Sequence, residues 1–208
     1  MTTVTTGQNI TRSVELLDAA GQEINNLLSL TQTLLSEALD DELESLGKKL
    51  LIDESWTETD KYTDSGWTFS DHAMSLPLYS HHKRNSADAY LVVQVSLSGS
   101  GAEIPGNPAE PVVHIYLTDE EPDLDEWVFT AMDTQEGDVH HGVLIDWNPA
   151  IETWVDQNWA YSLRLTSLNN LNDVRNKIVS PVLALLSTDD LASVSDSLID
   201  VEGIVHYE

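Results

Sequence analysis

Two adjacent histidine pairs, His81-His82 and His140-His141, stand in a chain without cysteine, and with His72, Asp71 and Asp138 they are the group nearest to a transition-metal site. Zinc accepts imidazole and carboxylate ligands. Successive residues of a strand point to opposite faces, so each pair offers at most one ligand from regular β structure. Neither pair has the helical i, i+4 spacing with an intervening Glu that marks a metalloprotease helix. The expectation is no metal and no other cofactor. If a metal were held, His72, His82 and His140 are its first candidates, and the chain would then read as a metal-dependent hydrolase.

The second chemical feature is Asp119-Glu-Glu-Pro-Asp-Leu-Asp-Glu126, eight residues with six carboxylates. It lacks the sixth-position Gly and the spaced terminal Glu of an EF-hand loop, so it reads as a solvated acidic turn leading into Trp127. Ser98-Gly99-Ser100-Gly101 is a turn and not a phosphate loop, because no Lys follows it. Ser, His and Asp are too numerous for their presence to mark a triad. With no catalytic motif and no thiol nucleophile, the chain is not expected to be an enzyme.

Aromatic residues flank this acidity. Trp147, Trp154 and Trp159 fall within fifteen residues of one another, and Trp127 follows the acidic turn. Trp147 and Trp159 are assigned to the core. Trp127 and Trp154 are assigned to an interface, where aromatics ringed by charge act as anchors.

The 208 residues hold 36 Asp and Glu against 9 Lys and Arg, a formal net charge of -27. No Lys or Arg lies between Arg84 and Arg164. Residues 1–36 carry three acids and one base, and residues 157–208 seven acids and three bases, which leaves 26 acids and five bases in residues 37–156. Self-repulsion of that size destabilises a compact state, and a basic partner is one reason to keep it. Nucleic acid is excluded as a direct ligand, since no basic patch is present to meet phosphate. A protein that competes with nucleic acid for a basic groove is the opposite case. A dispersed halophilic surface would spread carboxylates along the whole chain, which this distribution does not do.

These residues need elements to position them. Apolar residues at Ile10, Val14, Leu17, Ile24, Leu28 and Leu35, with a second stripe through Leu27, Leu30 and Leu34, predict a helix with Thr11 as N-cap. A second short helix is expected from Asp40 to Lys49, the two forming an N-terminal helical hairpin. After Trp56 the period shortens toward two. Leu91, Val93, Val95 and Leu97 alternate with Val92, Gln94 and Ser96. Similar strands are read at Val113–Leu117, Val143–Trp147 and Tyr161–Leu165, with weaker ones at 67–70, 74–79 and 127–131. The stretch from Gly99 to Pro111 reads as a long mobile loop. From Leu168 a helical period returns, Pro181 initiates a further helix, and a helix near 189–198 and a strand over 201–206 follow.

The expected fold is α+β: an N-terminal helical hairpin, a mostly antiparallel sheet of five to six strands, and C-terminal helices. Residues 1–50 form the helical segment and 51–208 the α+β domain. No stretch approaches the roughly 18 apolar residues of a membrane span, and no apolar leader precedes the helix, so a cytoplasmic location is expected. The expected function is non-catalytic binding of a basic protein, such as a nucleic-acid-binding enzyme, by an inhibitor, immunity factor or nucleic-acid mimic. Partner-binding candidates are Asp119, Glu120, Glu121, Asp123, Asp125, Glu126, Trp127, Glu136, Asp138, Glu152, Trp154 and Asp156. The likeness to acidic mimics and immunity proteins lies in charge alone. An acidic secretion-type chaperone is the alternative, its helix–sheet–helix order similar in outline, with a homodimer through residues 10–36.

Overall fold

The alternation around residue 93 sets the centre of the molecule. In the computed structural model, which describes residues 3–43, 51–52, 55–79, 87–132, 134, 137–147, 158–188 and 190–207, eight strands form one antiparallel sheet. They are β1 (Leu51–Ile52), β2 (Thr57–Tyr62), β3 (Phe69–Tyr79), β4 (Ala89–Ser96), β5 (Val112–Thr118), β6 (Asp138–His140), β7 (Leu144–Asp146) and β8 (Trp159–Arg164). The order is β1-β3-β4-β5-β8-β7-β6, with β2 sharing the β1 side of β3, so eight strands occupy seven lateral positions. That is more than the five to six expected. The strands not anticipated are β1, β2 and β6: β1 has two residues, β2 is polar, and β6 has three residues with Val139 its one apolar side chain, so none shows the apolar alternation that betrays a strand. The weak strands at 67–70 and 74–79 are one continuous β3, and the terminal strand reduces to a single bridge between Leu163 and Ile204.

One sheet face presents Met74, Leu76 and Leu78 from β3, Leu91, Val93 and Val95 from β4, Val113, Ile115 and Leu117 from β5, and Trp159, Tyr161 and Leu163 from β8. Helices cover it. The first, α1, runs unbroken over Thr3–Leu43, past Asp40 where a second helix was expected to begin; the remainder of that expected helix, 44–49, lies outside the described residues. Asp40, Asp41 and Glu42 continue it instead of opening a new helix, and Lys48 and Lys49 lie outside the described residues. Thr11 is therefore interior to α1 and its hydroxyl donates to Gly7 O. Only part of α1 reaches the core: Ile24, Leu28, Leu34, Leu35 and Leu39 are buried, whereas residues 7–20 are exposed.

The C-terminal helices complete this layer: α2 (Leu171–Val174), a π turn over Arg175–Val179, α3 (Ser180–Ser187) and α4 (Leu191–Leu198). Asn170 caps α2 by accepting from the backbone N–H of Asn172 and Asp173, and Asp190 caps α4 through Ser193 N. Tyr161 Oη donates to the carbonyls of Lys177 and Ile178, which the π turn leaves open toward the sheet.

The other face is covered by chain without regular structure. Ile104, Leu124, Phe129, Ala131, Val205 and Tyr207 pack on Ala73, Val92, Val112, Tyr116, Ile145 and Ala160. Gly99–Pro111, expected to be a mobile loop, begins as a 3₁₀ turn with Gly101, Ala102 and Ile104 buried. Val143 and Ile145, read as sharing a face, are divided between the two layers because Val143 sits in the β6–β7 turn, where His141 and Gly142 have positive φ. Among the described residues no helix is long and apolar enough to cross a membrane.

Candidate functional site

The irregular layer places the acidic turn. Strand β5 sends His114, Tyr116 and Thr118 to this face, and the chain after Thr118 folds back over them. Asp123 organises the return: its side chain accepts from Asp125 N at 3.0 Å, and its carbonyl from Glu126 N and Trp127 N at 3.1 and 2.9 Å. This Asx-type turn returns the chain over β5 and leaves a cleft between them. The cleft measures about 110 Å³ and is lined by Tyr116, Thr118, Glu120, Glu121, Pro122, Asp123, Glu126 and Trp127.

A run of aromatics fixes its floor. Phe129 is fully buried, stacks on Tyr116 at 5.3 Å, and meets the edges of His114, Trp127 and Trp147 at 4.8, 6.0 and 5.8 Å. Trp127 stands at 89° to Tyr116 and stays 46% exposed, so part of the ring is held while the rest meets solvent. The segment 127–131, expected as a strand, forms none. Gln94 from β4 takes the place of a neighbouring strand, its amide donating to Phe129 O at 3.0 Å and accepting from Phe129 N at 3.3 Å. Tyr116 Oη donates to the same amide oxygen.

The charges act on their neighbours. Partial burial, then the carboxylate of Glu121, then Tyr79, hold the Tyr90 phenol above its ordinary range. Burial and then the charge of Asp71 raise Tyr116. Neither phenol ionises near neutral pH, so the cleft carries carboxylate charge alone, with no Lys or Arg in its wall. Four exposed carboxylates and a half-exposed indole lining this volume suit the head of one Arg or Lys side chain, held by charge-assisted hydrogen bonds and the indole ring.

The sequence-derived candidates divide accordingly. Glu120, Glu121, Asp123, Glu126 and Trp127 line the cleft, and Asp119 and Asp125 are exposed on its rim. Asp138 is on β6, three strands from β5, about 14 Å away at ordinary strand spacing. Glu136, Glu152, Trp154 and Asp156 lie outside the described residues. Trp159 is buried as assigned, while Trp147 is only half-buried. The wall residues not anticipated were Tyr116 and Thr118. Their signal was the alternation of β5, whose second face reads His-Tyr-Thr against Val113, Ile115 and Leu117.

The described histidines do not converge. His72 on β3 and His140 on β6 are five strands apart in the sheet, about 24 Å, so they cannot share a metal. His72 pairs with Asp60, His140 lies 3.5 Å from Asp146, and His141 lies 2.6 Å from Asp196. His82 is outside the described residues. Among the described residues no group of three His, Asp or Glu could hold a metal ion.

His114, which the sequence did not single out, forms a hydrogen-bonded pair with Ser162 (Nδ1 to Oγ, 2.7 Å). Its Nε2 reaches Gly101 O at 2.8 Å, and a carbonyl only accepts, so Nε2 carries the proton and Nδ1 accepts from Ser162. Tyr207 Oη then donates to Ser162 Oγ at 2.9 Å. Burial lowers the His114 pKa to about 4, against the smaller opposing effect of the Gly101 carbonyl. Both Ser162 and His114 are wholly inaccessible, so the pair has a nucleophile's geometry without a path for substrate, and it works as a core hydrogen-bond network.

Comparison of this chain with protein-family models, with curated proteins and with solved structures finds no match.

Proposed function

We propose that this protein is a non-catalytic binder of a basic protein surface, acting as an inhibitor, immunity factor or nucleic-acid mimic. The observation that carries the reading is the cleft of Glu120, Glu121, Asp123 and Glu126 around the exposed edge of Trp127, inside a stretch of chain with no Lys or Arg from residue 85 to residue 163. Carboxylates so arranged steer a cationic partner from a distance and punish an anionic one. Trp127, already braced by Tyr116 and Phe129, gives up little side-chain entropy when a partner covers it.

The test is capture from native lysate at low salt with the tagged chain, elution by a salt step, and identification by mass spectrometry. One dominant basic protein is expected. It is lost when Glu120→Gln, Glu121→Gln, Asp123→Asn and Glu126→Gln are combined, and again in Trp127→Ala. Asn at 123 keeps the oxygen that accepts from Asp125 N, so the turn survives the change. Capture of the same protein by wild type and both variants would overturn the reading, as would capture of nothing basic.

A further inference from the structure

The stripe by which α1 packs on the sheet layer does not stop where the contact stops. Ile24, Leu28 and Leu35 are buried, and the same face continues N-terminally as Leu17, Val14 and Ile10, which are 56%, 55% and 62% exposed. Beside the point where α1 leaves the body opens an apolar groove of about 450 Å³, walled by Ile24, Leu27, Leu97, Pro111, Leu165 and Leu168. The stripe runs into the groove, whose walls are buried or half-buried and whose lining also includes Glu23, Thr166 and Asn169.

The spacing along the stripe says what covers it. Gly7, Ile10, Val14, Leu17, Gly21 and Ile24 are separated by 3, 4, 3, 4 and 3 residues, a heptad seam. The series is also symmetric about the point between Val14 and Leu17. When it is laid antiparallel on itself, Ile10 faces Gly21 and Val14 faces Leu17, while Gly7 comes level with Ile24, which is buried against its own body at the wall of the groove. The exposed Ile10 thus meets Gly21, where an added Cβ would find no atom within 4 Å, so the dimple that receives it is open, as is the one at Gly7. The seam positions are uncharged. In a molecule of net charge -27 this is a surface that a second copy can approach, and the antiparallel sense sends the two acidic bodies to opposite ends.

We infer that two copies of this chain associate through residues 7–24 of α1, antiparallel about a two-fold axis between Val14 and Leu17, each helix N-terminus entering the groove of the other copy. The helix contact alone is about 27 Å long and roughly 10 Å wide, small beside the ~800 Å² per partner of a stable interface. Use of the groove at both ends enlarges it, and a two-fold arrangement uses both grooves at once. The pairing lies on the helical layer, away from the acidic cleft, and does not rest on the function proposed for that cleft. Its salt response also has the opposite sign. Screening relieves repulsion between like-charged bodies, so dimerisation strengthens with salt while capture of a basic partner weakens.

Sedimentation of the full chain from low to high micromolar concentration tests the proposal. The expected result is a monomer–dimer equilibrium shifted toward dimer by added salt, unchanged by the combined amide substitutions in the cleft, and weakened about tenfold or more by Leu17→Glu. Leu17 is exposed in the single chain, so the far-ultraviolet dichroism of that variant should match wild type. Because the chain has no cysteine, geometry is read by oxidation: Ile10→Cys chains mixed with Gly21→Cys chains form a disulfide-linked pair, and Ile10→Cys chains alone form none. A monomer at every concentration, a dimer indifferent to Leu17→Glu, or self-linkage of Ile10→Cys chains would each overturn it. The first would assign the face to a different partner, the second would move the interface elsewhere, and the third would make the helices parallel.

Discussion

Gln94 is the residue on which the acidic cleft depends, although it touches none of the carboxylates. It sits wholly buried in the central strand β4, on the face away from the helices, and its amide holds both backbone groups of Phe129. Phe129 in turn supports Tyr116 and Trp127. Gln94→Leu keeps the volume but leaves a buried N–H and a buried carbonyl unpaired, each costing about 1–3 kcal/mol. The expected loss is about 3 kcal/mol of stability and, at about 2–4 °C per kcal/mol for a chain of this length, roughly 10 °C in melting temperature. Quenching of Trp127 by acrylamide should increase together with it; an unchanged melt would show that the amide is not what holds the segment. The alternation of β4 placed Gln94 on the second face in the sequence. Its partner, 35 residues on, was not legible, because a side-chain-to-backbone bond leaves no periodic trace. Gly101 is a similar case. Any Cβ there would strike Asp71 Oδ1 and Ser96 Oγ, and only the approach of the 3₁₀ turn to β3 and β4 reveals the constraint.

At the scale of elements, α1 joins two environments in one helix. Its second half lies in the sheet core and its first half is solvated. Leu35→Ala, at a fully buried position, is expected to cost about 3 kcal/mol by cavity formation. Leu17→Ala, measured at concentrations below dimerisation, should stay within about 0.5 kcal/mol of wild type. Chemical denaturation of the two variants checks this, and equal losses would mean that the first half of α1 is covered in the folded monomer. The helix itself was legible from its apolar spacing, as were β4, β5, β8 and α4. Its length was not. Asp40, Asp41 and Glu42 look like the start of a new helix because acids favour an N-terminus, yet here they continue an old one, since carboxylates also tolerate a helix interior when no Gly or Pro interrupts. Strands β2 and β6 escaped for the converse reason: β2 is polar on both faces and β6 is three residues long, so each owes its conformation to its neighbour's hydrogen bonds and not to its own pattern.

For the molecule as a whole, acid exerts two opposed effects. Protonation of carboxylates relieves the repulsion of a -27 chain and favours the folded state. His114 works the other way. Its folded-state pKa of about 4 lies below its ordinary 6.5, so between these values the unfolded chain takes up a proton that the folded chain refuses. The stability His114 contributes is complete above pH 6.5 and is lost as pH falls toward 4, by about 3 kcal/mol between pH 7 and pH 4. His114→Gln removes this limb while retaining a donor for Gly101 O. The stability difference between wild type and variant should therefore shrink by about 3 kcal/mol over that range, and a constant difference would refute the assignment. The sequence by itself determined the class of fold, the strong acidity of the middle of the chain and the apolar seam of α1, because composition and periodicity are local properties that any compact state must respect. The tertiary structure alone decided that the acidic turn closes on Tyr116 and Trp127 as a cleft, that the described histidines His72, His114 and His140 stand apart, and that half of α1 is left uncovered. Each of these depends on which strands become neighbours, and strand order is fixed by contacts between residues far apart in the chain.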